Sequence, residues 1–167
     1  MTHSVDDITR RLQVSIDAQE ISGVVSLVLH RGQTLHLGAL GLADIDANRP
    51  MTEDALFAIA SMTKPVTATA VMMLHESGDL AIEDPVSHYI PAFADTVCKA
   101  SPAHRPVSIR DLLTHTSGLV GTQACYGSLE DTAAKLAARR LAFAPGSQWQ
   151  YGPGLNVCGR IVEIVSG

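Results

Sequence analysis

The sequence is poor in positive charge and in long apolar runs, and each shortage narrows the range of functions. Only 12 lysine and arginine residues stand against 17 aspartate and glutamate residues, which gives a formal net charge of −5. This acidic balance lacks the basic excess of a nucleic-acid-binding protein. No apolar run approaches the roughly 20 residues that a membrane-spanning helix needs. We therefore expect neither nucleic acid nor a membrane as a partner.

Cysteine is also scarce, and no metal motif is present. The three cysteines, Cys98, Cys125 and Cys158, are an odd number with wide spacings and no C-x-x-C pair. They indicate free thiols in a reducing compartment, and not a disulfide framework. The seven histidines form no H-E-x-x-H motif and no close set with cysteine, so we predict neither a metal nor a cofactor.

The first residues, 1–7, are polar and acidic and lack the basic and apolar parts of a secretory signal. Together with the cysteines, this segment predicts a soluble cytoplasmic protein. A length of 167 residues, with 46% hydrophobic and 17% charged residues, is typical of one globular domain with a sizeable core.

Hydrophobic periodicity predicts an α/β (α+β) chain. A first helix, capped by Ser4, extends to about Glu20, and residues 24–30 and 34–40 form a β-hairpin. The first of these strands is apolar at nearly every residue, so we expect both its faces to be covered. Residues 43–50 read as a polar loop. Further helices are expected at residues 66–74 (ended by Gly78), 109–115 (capped by Ser108), 129–141 and 155–165.

Ser61 and Lys64 lie at the start of the apolar helix that ends at Gly78. Their spacing of three residues places both side chains on one helical face. A serine hydroxyl needs a base to become a nucleophile, and a lysine can serve if burial or nearby positive charge lowers its pKa. The alternative is an exposed Lys64 and a Ser61 that only caps the helix. The S-x-x-K spacing by itself is weak evidence and favours this alternative.

Four longer segments change this balance. Residues 57–65 (FAIASMTKP), 108–119 (SIRDLLTHTSGL), 143–151 (FAPGSQWQY) and 159–167 (GRIVEIVSG) resemble signatures of the serine β-lactamase-like superfamily. That superfamily includes class C β-lactamases, D-alanyl-D-alanine peptidases and related carboxylesterases. The matches keep the order and spacing of the family across nearly the whole chain, so they are far more specific than S-x-x-K alone.

The resemblance implies a β-lactamase/transpeptidase-like fold, which has a helical region and an antiparallel sheet. Residues 1–50 would supply the N-terminal helix and the only hairpin of the sheet in this sequence, and residues 51–167 would form the mainly helical region. It also implies roles for three residues. Ser61 matches the acylated nucleophile, Lys64 its base partner, and Tyr151 the tyrosine of the Y-x-N element. A phenol beside a charged lysine would have a lowered pKa and could relay a proton to the leaving group.

Two departures from the family pattern shape the functional prediction. Gly152-Pro153 stands where the family often has Ser-Asn, which resembles some esterase-like members and favours a carboxylesterase acting on a small ester or amide. A β-lactamase or a D-alanyl-D-alanine peptidase is the alternative. In the family, a later strand with a K-T-G or H-x-G motif donates the second N–H to the oxyanion, and no such motif occurs after Tyr151. The loss of one oxyanion donor typically costs about 2.7–4 kcal/mol of transition-state stabilisation.

That second departure leads to two further expectations. The domain is expected to be incomplete, so a catalytically incomplete fragment or a penicillin-recognising binding module is a further alternative. A hairpin without its usual neighbours also leaves an apolar strand edge bare, and bare edges favour self-association. Among other residues, we expect His115 to bond backbone carbonyls, Trp149 to serve in packing, and Asp84 and Asp111 to be capping or surface acids.

Overall fold

The computed structural model describes residues 6–98, 105–121 and 127–167. The predicted cap at Ser4 and the cysteine Cys125 lie outside the described residues. Contacts divide the chain into two compact units, Met1–Ala58 and Ile59–Gly167, and each unit is described by itself.

The first unit contains one helix and a small antiparallel sheet. Helix α1 (Asp6–Asp17) is followed by strands β1 (Gly23–His30), β2 (Gln33–Asp44) and β3 (Arg49–Pro50), in the order β1-β2-β3. The predicted hairpin is therefore confirmed, with Leu27 opposite Leu37 in its register. Helix α1 ends before the predicted Glu20 because Gln19 takes a left-handed φ of 57°, which a helix cannot continue.

Two details of this unit differ from the sequence-based expectations. The predicted loop 43–50 contains the end of β2 and the short strand β3, which pairs Pro50 with Leu42 across a bulge. The far half of β1 is not covered on both faces, since Leu27 and Leu29 are 54% and 61% exposed. Strand β1 is an edge strand of this sheet, and its first half, residues 23–26, is half-buried.

The second unit is a cluster of helices around the last one. Helices α2 (Thr63–Ser77), α3 (Ile109–Leu113) and α4 (Leu129–Ala137) all contact α5 (Gly154–Ser166). The core is made of side chains from all four helices, among them Val71, Leu112, Leu136, Val157 and Ile161. Burial of such side chains stabilises each by about 1.5–3 kcal/mol relative to exposure.

The helices predicted for this unit are present with shifted ends. Helix α4 ends at Ala137 and not at Leu141, because Leu141 pairs with Cys98 in an isolated parallel bridge and is buried there. Three-residue 3₁₀ turns occur at Ala60–Met62, Val86–His88 and Pro91–Phe93. The first of these turns leads directly into α2 and carries Ser61.

Cys98 and Cys158 are free and buried, and burial raises the pKa of the Cys158 thiol to about 12. The cytoplasmic location that the cysteines predict stays a prediction. Within the described parts of the chain, none of the helices combines the length and the apolarity that crossing a bilayer requires.

Candidate active site

Ser61 lies in a sharp turn in front of α2. It is the middle residue of the 3₁₀ turn Ala60–Met62, and the α-helix begins two residues later at Thr63. The preceding residue, Ala60, has a left-handed φ of 46°, a conformation that residues with a Cβ rarely adopt and that often accompanies functional sites. Neither this turn nor α2 has a side-chain cap at its start, so the alternative in which Ser61 caps the helix is wrong.

The first turn of α2 also accommodates Pro65. It is the third residue of the helix, where its missing N–H would have no intrahelical partner in any case. At the other end, Gly78 stops α2 with a left-handed φ of 85°, as the sequence predicts. The helix therefore holds Lys64 in its first turn, directly after the turn that carries Ser61.

The hydroxyl of Ser61 contacts both an amine and a phenol. Lys64 Nζ donates to Ser61 Oγ at 3.1 Å, and Ser61 Oγ lies 2.7 Å from Tyr151 Oη. Lys64 Nζ is also 4.9 Å from the centroid of the Tyr151 ring, within the range of a cation–π contact. The structure thus brings together all three residues singled out from the sequence, although Tyr151 is 90 positions beyond Ser61.

The charge of Lys64 affects the phenol. The close approach of Lys64, followed by the hydrogen bond with Ser61, lowers the pKa of Tyr151, while desolvation opposes the change. Both contacts favour the ionised phenolate, because a nearby positive charge and a hydroxyl hydrogen bond stabilise its negative oxygen. Lys64 is half-buried and Tyr151 is 44% exposed. The group therefore combines a candidate nucleophile with a phenol that ionises more readily than usual.

The position of Tyr151 is fixed by the two glycines that follow it. A Cβ on Gly152 would lie 2.0 Å from the carbonyl oxygen of Leu119, and one on Gly154 would lie 2.7 Å from that of Leu112. Distances this short exclude any side chain at either position. The backbone after Tyr151 can therefore pack directly against the backbone of Leu119 and Leu112. This close packing keeps the Tyr151 phenol next to Ser61.

A model of the beta-lactamase family matches residues 7–167. The chain belongs to the beta-lactamase family. The chain is 39% identical to Esterase EstB of Burkholderia gladioli, and the match covers 89% of this chain and 42% of the esterase. The predicted resemblance is thereby confirmed.

Solved structures of the beta-lactamase fold agree with this assignment. EstCE1, a hydrolase with promiscuous acyltransferase activity, superposes with a TM-score of 0.86 at 29% identity, covering 96% of this chain and 46% of EstCE1. A class C beta lactamase gives a TM-score of 0.78 at 29% identity, covering 97% of this chain and 44% of that enzyme. The predicted fold is confirmed, and the chain spans less than half the length of these relatives.

Within this beta-lactamase-family site, His115 has a different place from the one predicted. Within the described residues its ring bonds no carbonyl, and Nδ1 accepts a hydrogen bond from the Gly152 backbone N–H at 3.3 Å. The His115 and Tyr151 ring centroids are 4.6 Å apart, and Trp149 meets His115 edge-on at 6.1 Å. Trp149 is 67% exposed, so the packing predicted for it is confined to one edge. Sequence reasoning missed this contact because His115 and Gly152 are 37 residues apart.

The acids named in the sequence have structural partners. Asp84 accepts a hydrogen bond from the Tyr89 hydroxyl at 2.6 Å. Asp111 is buried, caps α3 together with Ser108 and pairs with Arg105 at 2.6 Å. Asp111 is therefore a capping residue and not a surface acid. Across the described residues, histidine, cysteine, aspartate and glutamate do not gather in groups of three or more that could hold a metal.

Proposed function

We propose that the chain is a serine hydrolase that cleaves esters through an acyl-serine intermediate, with Ser61 as nucleophile, Tyr151 as the group that takes and returns its proton, and Lys64 as the cation that stabilises the Tyr151 phenolate. The observation that carries the proposal is the 2.7 Å separation of Ser61 Oγ and Tyr151 Oη, with Lys64 Nζ at 3.1 Å from the same hydroxyl. These separations lie within the reach that proton transfer to a base requires.

The proposed acylation uses these two contacts. Ser61 Oγ attacks the carbonyl carbon of the ester, and its proton passes to the Tyr151 phenolate, which Lys64 stabilises. The tetrahedral intermediate collapses as the bond between carbon and the leaving oxygen breaks. The leaving oxygen takes the proton from Tyr151 and departs as an alcohol. The acyl group remains on Ser61 as an ester.

Deacylation repeats the proton transfers with water. A water molecule attacks the acyl carbon and gives a proton to Tyr151, and the bond to Ser61 Oγ breaks. The serine oxygen recovers the proton, and the carboxylic acid leaves. One ester and one water thus yield one acid and one alcohol, with the three side chains returned to their first state.

The turn that holds Ser61 supplies a donor for the developing oxyanion. The Met62 N–H donates to the Ile59 carbonyl. The Ser61 N–H lies one residue earlier, before the first donor of the turn. N–H groups at such starts have no partner within the turn and carry partial positive charge. The Ser61 N–H is therefore the group that we assign to the negative oxygen of the tetrahedral intermediate.

An ester substrate is favoured over an amide by the residues around the site. The close approach of Gly152 to Leu119 leaves no room for a side chain, and Pro153 follows, so neither position offers an amide group to a peptide-like substrate. Ile59, Met62 and Trp149 are apolar and exposed beside the site. Such side chains suit a neutral, apolar acyl group. The relative Esterase EstB is in keeping with this choice.

The test compares hydrolysis of p-nitrophenyl butyrate with that of a chromogenic cephalosporin. The Ser61→Ala variant is expected to lose at least about 10³-fold in kcat/KM on the butyrate ester, because it lacks the nucleophile. Ser77→Ala is the matched control, since Ser77 is an exposed serine at the last residue of α2, the helix that follows Ser61. It is expected to keep the wild-type rate.

The outcomes separate the candidate functions. Equal rates for wild type and Ser61→Ala would remove the nucleophile assignment. Faster turnover of the cephalosporin would replace the esterase with a β-lactamase. Mass spectrometry after treatment with a fluorophosphonate adds a further distinction. An adduct on Ser61 without turnover of either substrate would leave a binding module that reacts but does not release its product.

A further inference from the structure

His115 contacts each residue of the segment 150–152. Its carbonyl oxygen accepts a hydrogen bond from the Gln150 N–H at 2.9 Å, and its ring Nδ1 accepts one from the Gly152 N–H at 3.3 Å. Between these two bonds, its ring faces that of Tyr151 with 4.6 Å between centroids and 35° between planes. The backbone of Tyr151 is thus held on both sides by one residue.

The backbone conformation of His115 makes this triple contact possible. Helix α3 ends at Leu113, and His115 follows with a left-handed φ of 60°. Histidine and asparagine adopt this conformation more readily than most residues. It reverses the chain after the helix, so the carbonyl and the ring of His115 both reach the segment that carries Tyr151.

We propose that His115 is a positioning residue that, as a neutral imidazole, keeps the Tyr151 phenol at hydrogen-bond distance from Ser61. The proposal rests on the proton-transfer role of Tyr151 given above. His115 does not touch the reacting hydroxyl; it acts through the Gly152 N–H and the ring of Tyr151. Because Nδ1 accepts a hydrogen bond, the neutral ring carries its proton on Nε2.

The surroundings of the ring favour the neutral form. Among the residues that the structure describes, the titratable groups that face it are the Lys64 ammonium from α2 and the Tyr151 phenol, while Asp111 on α3 is engaged with Arg105 and Ser108. Burial, followed by the charge of Lys64, lowers the pKa of His115. Protonation would place an N–H donor opposite the Gly152 N–H and a second positive charge near Lys64. Both effects would release the segment that holds Tyr151.

Two polar variants separate the effect of the hydrogen bond between Nδ1 and the Gly152 N–H from the effect of side-chain size. In His115→Asn the side-chain oxygen occupies the place of Nδ1, and asparagine tolerates the left-handed φ. In His115→Gln the amide lies one methylene further out, where it cannot replace Nδ1. Both variants are uncharged at every pH. The ionisation of Tyr151 is followed by ultraviolet difference absorbance against the same protein carrying Tyr151→Phe, which removes the signals of the other two tyrosines.

We expect the pKa of Tyr151 to stay lowered in His115→Asn and to return toward its ordinary value in His115→Gln. On p-nitrophenyl butyrate, His115→Gln is expected to lower kcat about tenfold with KM within about twofold, whereas His115→Asn restores most of kcat. Identical titration of Tyr151 in wild type and His115→Gln would overturn the proposal, as would an equal loss of kcat in both variants.

The titration does not depend on turnover, so it distinguishes the two proposals. If wild type and Ser61→Ala hydrolyse the ester equally, the proposed function fails, but the shift of Tyr151 between His115→Asn and His115→Gln still decides the role of His115. If Ser61→Ala is inactive and the two His115 variants titrate alike, the hydrolase stands and the positioning role fails. Thermal unfolding of both His115 variants verifies that each is folded before titration.

Discussion

At the scale of single residues, the ionisation of Tyr151 depends first on Lys64. The nearby ammonium of Lys64 is the largest influence that lowers the phenol pKa, ahead of the hydrogen bond with Ser61. A phenol with an ordinary pKa near 10 would be almost fully protonated at neutral pH. The lysine thus supports the phenolate that we propose as the acceptor of the serine proton.

We predict that Lys64→Met raises the pKa of Tyr151 toward its ordinary value of 10.0. Because the proposed base is the phenolate, the rising limb of the pH–rate profile should move to higher pH. At about pH 7 the rate of ester hydrolysis should fall by about 10²-fold or more. Difference absorbance of Tyr151 and kcat/KM from about pH 6 to about pH 10 measure both effects.

Lys135→Met is the matched control for this prediction, because Lys135 is an exposed lysine in the last turn of α4. It is expected to leave both the Tyr151 titration and the pH–rate profile unchanged. A Lys64→Met protein with an unaltered profile would contradict the assignment of Lys64 as the partner of the phenol.

At the scale of secondary-structure elements, two helices begin with the same motif in different surroundings. Ser108 and Asp111 form a capping box at the start of α3, and Ser128 and Asp131 form one at the start of α4. Asp111 is only 2% exposed and also pairs with Arg105, whereas Asp131 is exposed. Helix α3 ends two residues before His115. The capping box that stabilises α3 therefore also supports the backbone that leads to the candidate site.

We predict that Asp111→Asn lowers the free energy of unfolding by about 2–3 kcal/mol, because a buried capping and ion-pairing group loses its charge. The loss should exceed that of Asp131→Asn, the matched control. Burial works to raise the pKa of Asp111, but the bonds from Arg105 and Ser108 outweigh it and lower that pKa. The carboxylate therefore contributes stability above an unfolded pKa of 3.8, and that contribution is lost as pH falls below this value.

Urea unfolding of the wild type and both variants at about pH 7 and from about pH 4 to about pH 2 tests this prediction. The wild type should lose more stability on acidification than Asp111→Asn does. Equal stability losses from the two substitutions at neutral pH would show that burial and Arg105 add nothing to the capping box of α3.

The elements themselves follow largely from local sequence, and the exceptions have physical causes. Gly78 and Ser108 mark helix ends through chemistry that a short window contains, so α2 and α3 are predictable. The end of α4 is not, because Leu141 leaves the helix to pair with Cys98. The role of His115 is likewise hidden, since it depends on a left-handed residue meeting a loop 37 positions away. Tyr151 was accessible only through family resemblance, because S-x-x-K names Ser61 and Lys64 but gives no third residue.

At the scale of the whole molecule, the feature with the clearest consequence is the edge of β1 that pairs with no strand in the part of the chain that the structure describes. Strand β1 pairs with β2 on one side and is the outer strand of the sheet. Its sequence, GVVSLVLH, has no lysine, arginine, aspartate, glutamate or proline to discourage pairing with another strand. Leu27 and Leu37 face each other across the hairpin and are both exposed. Backbone donors and acceptors and apolar side chains are therefore presented together.

We propose that β1 mediates association between copies of this chain, and we predict that Leu27→Lys weakens it. A charge on the apolar strand must be desolvated or repelled when two strands meet, so the dissociation constant should rise by at least about tenfold, equivalent to about 1.4 kcal/mol. Ile45→Lys is the matched control, because Ile45 is also apolar and exposed but lies beyond the end of β2. Sedimentation velocity over a range of protein concentrations measures the effect. A wild type that sediments as a monomer at every concentration would exclude this use of the edge, and equal weakening by both lysines would assign it to net charge and not to β1.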